Sequence, residues 1–174
     1  STPPIVANPQ EAKVTDLTKR LQELNDMFVG KTTFRAEQET AQGIPELTKT
    51  QTDLSARLKV LQNEALAIPI QLQQEATGRG ITTGGLRPLE TARVRENAIK
   101  ALGISSLLES SRGNLTLAQD LVDKAVAQKY GPIEEEINAK TKNLELIIKS
   151  PEYTLADKSR AQAQLDIQKK KEVK

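Results

Sequence analysis

Apolar residues along this chain recur in alternating steps of three and four. Val14, Leu17, Leu21, Leu24 and Phe28 form the first such series. Ile44, Leu47, Gln51, Leu54, Leu58, Leu61, Ala65, Ile68 and Leu72 form a second and longer one, with Gln51 its single polar member. Ile133, Ile137, Lys140, Leu144 and Ile147 resume the spacing near the end. Steps of three and four keep side chains on one face of an α-helix, and a narrow seam of this kind suits helix-to-helix packing. No segment alternates in the strand manner beyond Ile68-Pro69-Ile70, so strand content is expected to be near zero.

Turn and cap residues divide these series into elements. Pro3, Pro4 and Pro9 make residues 1–8 a linker, and Asn8-Pro9 reads as an N-cap with first-turn proline. Gly30 is placed to stop the first helix. The polar stretch 31–43 around Phe34 reads as a short helix or a continuation of the arm. Gly43 and Pro45 open the next helix, over 45–76, roughly 48 Å long and expected to kink at Pro69. Residues 77–87, with Gly78, Gly80, Gly84 and Gly85, form a loop, and Pro88 starts a helix reaching about Ser110. Gly113-Asn114 is expected to break the chain, with Asn114 or Thr116 capping a further helix. On that helix Leu117, Leu121 and Ala125 adjoin Ala118, Val122 and Val126, a stripe broad enough to need more than one neighbour. Gly131-Pro132 ends it, and Ser150-Pro151 caps a last helix over about 152–172.

The architecture these elements predict is all-α. It is a long antiparallel coiled-coil hairpin, or stalk, with a small helical head between its two arms. After the linker, residues 9–76 make the outgoing arm, 77–131 the head with its glycine-rich loop, and 132–174 the returning arm and C-terminal helix. The seam of this stalk is Leu47, Leu54, Leu58, Leu61, Ile68, Ile133, Ile137, Leu144 and Ile147, with Leu54, Leu58 and Leu61 expected against Ile133, Ile137 and Leu144. Both termini look cut from a longer protein.

Composition supports thin helical seams over a thick core. Aromatics are 2% of the 174 residues, namely Phe28, Phe34, Tyr130 and Tyr153, and tryptophan is absent. Burial therefore has to come from Leu, Ile, Val and Ala. The net charge of +2 lacks the basic footprint of a nucleic-acid binder, despite the short run Lys169–Lys171. No apolar run is long enough to span a membrane, and no signal-peptide pattern is present. The compartment stays open between a virion or extracellular assembly and the cytoplasm.

Candidate chemistry is sparse. Without histidine or cysteine the chain has no thiol nucleophile, imidazole base or Cys/His zinc site. The glycine loop lacks the Lys-Ser/Thr of a phosphate loop, since Leu86-Arg87-Pro88 follows its last glycine. Glu134, Glu135 and Glu136 occupy consecutive positions, which diverge on a helix, and suit a helix start. Ser105, Ser106, Ser110 and Ser111 have no histidine partner. No catalytic residue, metal ligand, cofactor or small-molecule substrate is expected, and the chain is read as a non-enzyme. Arg79, Arg87, Arg93 and Arg95 are the candidate partner-binding residues, because guanidinium groups suit carboxylate and phosphate recognition.

One stretch carries a resemblance. Gly113-Asn114-Leu115-Thr116-Leu117-Ala118-Gln119-Asp120, Ala125-Val126 and Lys129-Tyr130-Gly131-Pro132-Ile133-Glu134 resemble helical segments of coiled-coil structural proteins of phage tails and virions, or of phage-like bacterial proteins. The resemblance implies a structural or assembly segment, a coiled-coil spacer holding a head at a set distance within a larger complex. The alternative function is an adhesin-like module whose head binds a protein or glycan. Protein partners, or self-association through a coiled coil, are expected in either case.

Overall fold

The computed structural model describes residues 9–80 and 83–172. The linker read over residues 1–8 lies outside them. Among the described residues the chain forms five α-helices and no strand: α1 (Pro9–Phe28), α2 (Lys31–Ala41), α3 (Ile44–Arg79), α4 (Arg87–Lys149) and α5 (Leu155–Glu172), with a short 3-10 turn at Thr83–Gly85. They sort into two units. One comprises residues through 37 together with 123–174, the other residues 38–122.

In the first unit α1, the C-terminal part of α4 and α5 form a three-helix bundle. Val14 and Leu21 of α1, Leu144 and Ile147 of α4, and Ala161 and Leu165 of α5 make one buried cluster, with Leu17, Ile137, Ile148 and Tyr153 packed against it. Full burial of a Leu or Ile stabilises by roughly 1.5–3 kcal/mol, so this cluster is what holds the unit together. α1 and α5 run parallel, since Arg160 donates to Thr15 near their starts and Asn25 pairs with Gln168 near their ends. The side chains of Asn25, Gln164 and Gln168 are buried among the apolar ones and hydrogen-bond one another. Three of the four aromatics meet where α1 gives way to α2. Tyr130 of α4 makes edge contacts with Phe28 and Phe34 at ring separations of 6.2 and 5.7 Å. Lys31 and Lys129 lie over the Phe28 and Phe34 rings. A Cβ at Gly30 would stand 3.1 Å from the Tyr130 hydroxyl, so the break residue is also a close-approach site.

The second unit is built on α3 and the N-terminal part of α4. Gly43 and Gly80 bound α3, both in the left-handed region at φ 69° that glycine adopts without a steric penalty. The Gly80 N–H caps the Ala76 carbonyl. Leu86 folds into a buried cluster with Ile68, Leu72 and Ala76. The Glu90 N–H then bonds the Leu86 carbonyl as α4 begins. Helices joined by so short a connection run antiparallel. Arg93 accordingly reaches back to Glu75, and Asn97 donates to the Leu61 carbonyl at 3.0 Å.

This arrangement overturns the expected stalk and head. No separate head lies between residues 77 and 131, because α4 runs for 63 residues without interruption. Gly103, Gly113, Gly131 and Pro132 are all internal to it. Neither Asn114 nor Thr116 caps a helix. α3 turns directly into α4, so Leu54, Leu58 and Leu61 share a unit with the first part of α4 and not with Ile133, Ile137 and Leu144. The helices pack as bundles in two units, not as two coiled-coil arms. Continuity of α4 has an energetic reason. An internal glycine costs about 1 kcal/mol and a proline about 3 kcal/mol. Against that stand Leu108, Ala118, Val122, Val126 and Tyr130, all buried along the same helix and each contributing on the order of the glycine penalty or more. The start of α5 also differs from the Ser150-Pro151 cap. The Thr154 hydroxyl accepts the Asp157 N–H at 3.2 Å, while Ser150 only closes the preceding turn onto the Glu152 N–H.

Candidate interaction surface

The positions named from sequence spread over both units. Of the seam, Ile68, Leu144 and Ile147 are buried, whereas Leu47, Leu54, Leu58, Leu61, Ile133 and Ile137 are half-buried. The four arginines do not form one patch. Arg93 is spent on Glu75, at 2.9 and 3.3 Å. The Arg93 hydrogen bond, helped by its charge and that of Arg79, holds the Glu75 carboxyl below the usual range. Arg79 and Arg87 are exposed on either side of the turn. Arg95 is exposed and stands about 200° around α4 from Arg93.

The carboxylates are likewise committed to separate partners. Glu134 pairs with Lys31 at 3.3 Å. Glu136 receives a two-pronged hydrogen bond from Arg20, at 2.8 and 2.9 Å, with Lys140 at 3.7 Å. That bond holds Glu136 below the ordinary carboxylate range against the opposing pull of desolvation, and it raises the Arg20 pKa in return. Burial pushes the Asp157 carboxyl up, but hydrogen bonds from Thr154 and Arg160 outweigh it and leave the group lowered. The Arg20–Glu136 and Lys31–Glu134 pairs join helices, whereas Arg160–Asp157 lies within α5 and leaves the buried Asp157 Oδ2 without a hydrogen-bond partner. Among the described residues no group of carboxylates is placed to hold a metal ion, and no helix is long and apolar enough to cross a membrane.

Two hollows in the first unit have mixed linings. One, of about 630 Å³, lies beside Lys13, Asp16, Arg20, Lys140 and Tyr153. The other, of about 470 Å³, opens beside the Asn25–Gln168 pair, with Glu134 and Lys171 at its edge. In the first, Arg20 and Lys140 are already occupied by Glu136. In the second, the two amides satisfy each other.

The second unit offers a different surface. Between α3 and α4 runs an open groove of about 610 Å³. Ala56, Val60 and Leu61 line it from α3, and Ile99, Gly103, Ile104 and Leu107 from α4. Only Arg57 and Lys100 bring charge to its rim. Val60, Ile99 and Leu107 are 54%, 65% and 57% exposed, so these apolar side chains face solvent. Next to the groove, the outer face of α4 carries Ile99, Leu102, Ser106, Ser110, Gly113, Leu117 and Leu121 at helical spacing, all exposed, with large apolar pairs at its two ends. It lies largely opposite the half-buried Ile104 and the buried Leu108, Ser111, Ala118 and Val122. The sequence shows the Leu117–Ala118 and Leu121–Val122 adjacency and its need for two neighbours, but the chain covers only the inner half. The two-sided character further upstream escapes notice in the sequence because Gly113-Asn114 reads as a break. A count of apolar residues at helical spacing through Gly113 would have revealed it.

Comparison with protein-family models, curated proteins and solved structures finds no match. No match bears on the resemblance of residues 113–134 to phage-tail and virion proteins.

Proposed function

We propose that the chain is a non-enzymatic assembly module whose second unit docks onto other protein helices. The observation that carries this reading is the outer face of α4. Ile99, Leu102, Leu117 and Leu121 are 65%, 73%, 63% and 51% exposed on one side of one helix, beside an apolar groove. Single exposed leucines are ordinary, whereas pairs of large apolar residues repeated on one face of one helix, beside an apolar groove, mark an interaction surface. Helix-in-groove and helix-on-helix recognition use this spacing of anchors. Carboxylates committed to ion pairs and the lack of histidine and cysteine support a role in binding over one in chemistry.

A substitution experiment separates docking from folding. Replacing Ile99, Leu102, Leu117 and Leu121 together by Gln should leave the unfolding free energy of the dilute chain within about 0.5 kcal/mol per site, as for surface positions, and should raise solubility. A loss of several kcal/mol would show that these side chains belong to the fold and would refute the reading.

A second reading draws on the exposed Arg79 and Arg87 at the α3–α4 turn, which suit an anionic protein or glycan. Its test is the double variant Arg79→Gln/Arg87→Gln, which should lose binding to such a partner without loss of helix content.

A further inference from the structure

The order of residues along the outer face of α4 points to what covers it, an inference that rests on the docking role proposed for that face. The face has large apolar residues at both ends and small ones between. Ile99 and Leu121 lie eleven residues to either side of Ser110. Leu102 and Leu117 lie eight and seven residues away, and Ser106 and Gly113 four and three. A face that reads the same in both directions is complementary to itself. Self-complementarity is what a two-fold interface requires, since there residue i meets j and j meets i.

We propose that this face is the interface of an antiparallel homodimer centred on Ser110. A second copy laid across a two-fold axis at Ser110 sets Ile99 beside the partner's Leu121 and Leu102 beside the partner's Leu117. The small residues at the centre let the two helices approach at the short end of the usual 8–10 Å interaxial range. A Cβ at Gly113 would meet nothing within 4 Å in the single chain, so the chain's own packing gives no reason for a glycine there. Close approach of a second helix does.

The face is roughly 33 Å long at 1.5 Å per residue. Two helices in contact over that length bury on the order of the 1,000 Å² that a specific interface needs.

The chain has no cysteine, so single introduced thiols report on the register. Ser110→Cys should form a disulfide-linked dimer under mild oxidation, because the axis brings the two copies of residue 110 together. Ile99→Cys should not, because its two copies stand roughly 33 Å apart in the antiparallel pair, far beyond the 7 Å or so between Cα atoms that a disulfide spans. Light scattering on the unmodified chain should show the mass doubling with concentration. Leu102→Glu/Leu117→Glu should weaken that association by roughly 30-fold or more, with unchanged helical circular dichroism. Cross-linking of Ile99→Cys as readily as Ser110→Cys would overturn the antiparallel register. A dimer that survives the double Glu variant would overturn the interface. A monomer at all concentrations, with no cross-link at residue 110, would overturn the second copy as the occupant. The docking role itself would then still be decided by the stability of the fourfold Gln variant.

Discussion

The buried amides of the three-helix bundle allow a perturbation whose size follows from the geometry. Asn25, Gln164 and Gln168 are 6%, 2% and 4% exposed. The Asn25 Nδ2 donates to Gln168 Oε1 at 2.6 Å, and the Gln168 Nε2 returns a bond to Asn25 Oδ1 at 3.2 Å. Gln164 Nε2 donates to the same Gln168 oxygen at 3.1 Å. Asn25→Leu orphans the Gln168 N–H while Gln164 still holds the Gln168 oxygen, a cost of about 1–3 kcal/mol for one unsatisfied buried group. Gln168→Leu orphans both ends of Asn25 and the Gln164 donor, and should cost about 3 kcal/mol or more on the same basis. The double variant leaves only the Gln164 donor without its acceptor. It should therefore be less destabilised than the sum of the singles, by about 3 kcal/mol. Urea titrations followed by far-UV circular dichroism measure all three in a chain without tryptophan. Single-variant effects that add within about 0.5 kcal/mol would mean that the amides do not bond to each other, and would refute the account.

Two further outcomes test the helix and its ion pairs. Gly131→Ala should stabilise by about 0.5–1 kcal/mol, since the position is inside α4 and an added Cβ meets nothing within 4 Å; a destabilising effect in thermal melts would restore the Gly131-Pro132 break. Glu136, Glu75 and Asp157 all have lowered pKa values in the folded chain. Each therefore contributes stability that is present above the ordinary carboxylate range and is lost as pH falls through the folded value. Arg20→Gln should move the Glu136 midpoint upward in a carbon-detected NMR titration and flatten the acid loss of stability, and an unmoved midpoint would refute the role of Arg20.

What could be read from the sequence is the set of helix-facing positions, and what could not is their partners. The α1 series Val14, Leu17, Leu21, Leu24 and Phe28 predicts a helix ending near Gly30, and α1 does end at Phe28. The spacing on α3 predicts a helix from Pro45, and α3 begins one residue earlier. A seam does not name what it faces, however, so Leu54, Leu58 and Leu61 were equally compatible with Ile133, Ile137 and Leu144. The short connection between α3 and α4 decides the matter, since α4 runs straight back along α3. Asn25, Gln164 and Gln168 were invisible as core residues because each looks solvent-facing until its partner is known. The exposed groove was invisible for a related reason: Val60, Ile99 and Leu107 look like core positions until the packing shows them uncovered.

The glycines of α4 bear on function more than on folding. Gly103 weakens the helix and Gly113 looks like a helix breaker, yet the helix absorbs them because the inner residues Leu108, Ala118 and Val122 are buried on both sides of Gly113 and beyond Gly103. Each still costs the helix about 1 kcal/mol relative to Ala. Three glycines have a local reason, Gly43 and Gly80 in their left-handed φ and Gly30 in the Tyr130 hydroxyl above it. At residues 103 and 113 a Cβ would have open space around it. Gly103 lines the apolar groove and Gly113 lies on the outer apolar face. Of the helical glycines whose added Cβ would meet nothing, Gly78, Gly103, Gly113 and Gly131, two lie at surfaces that the fold leaves uncovered. A cost with no return inside the chain makes sense if another helix comes close at those points, which links the irregular feature of α4 to the proposed docking role.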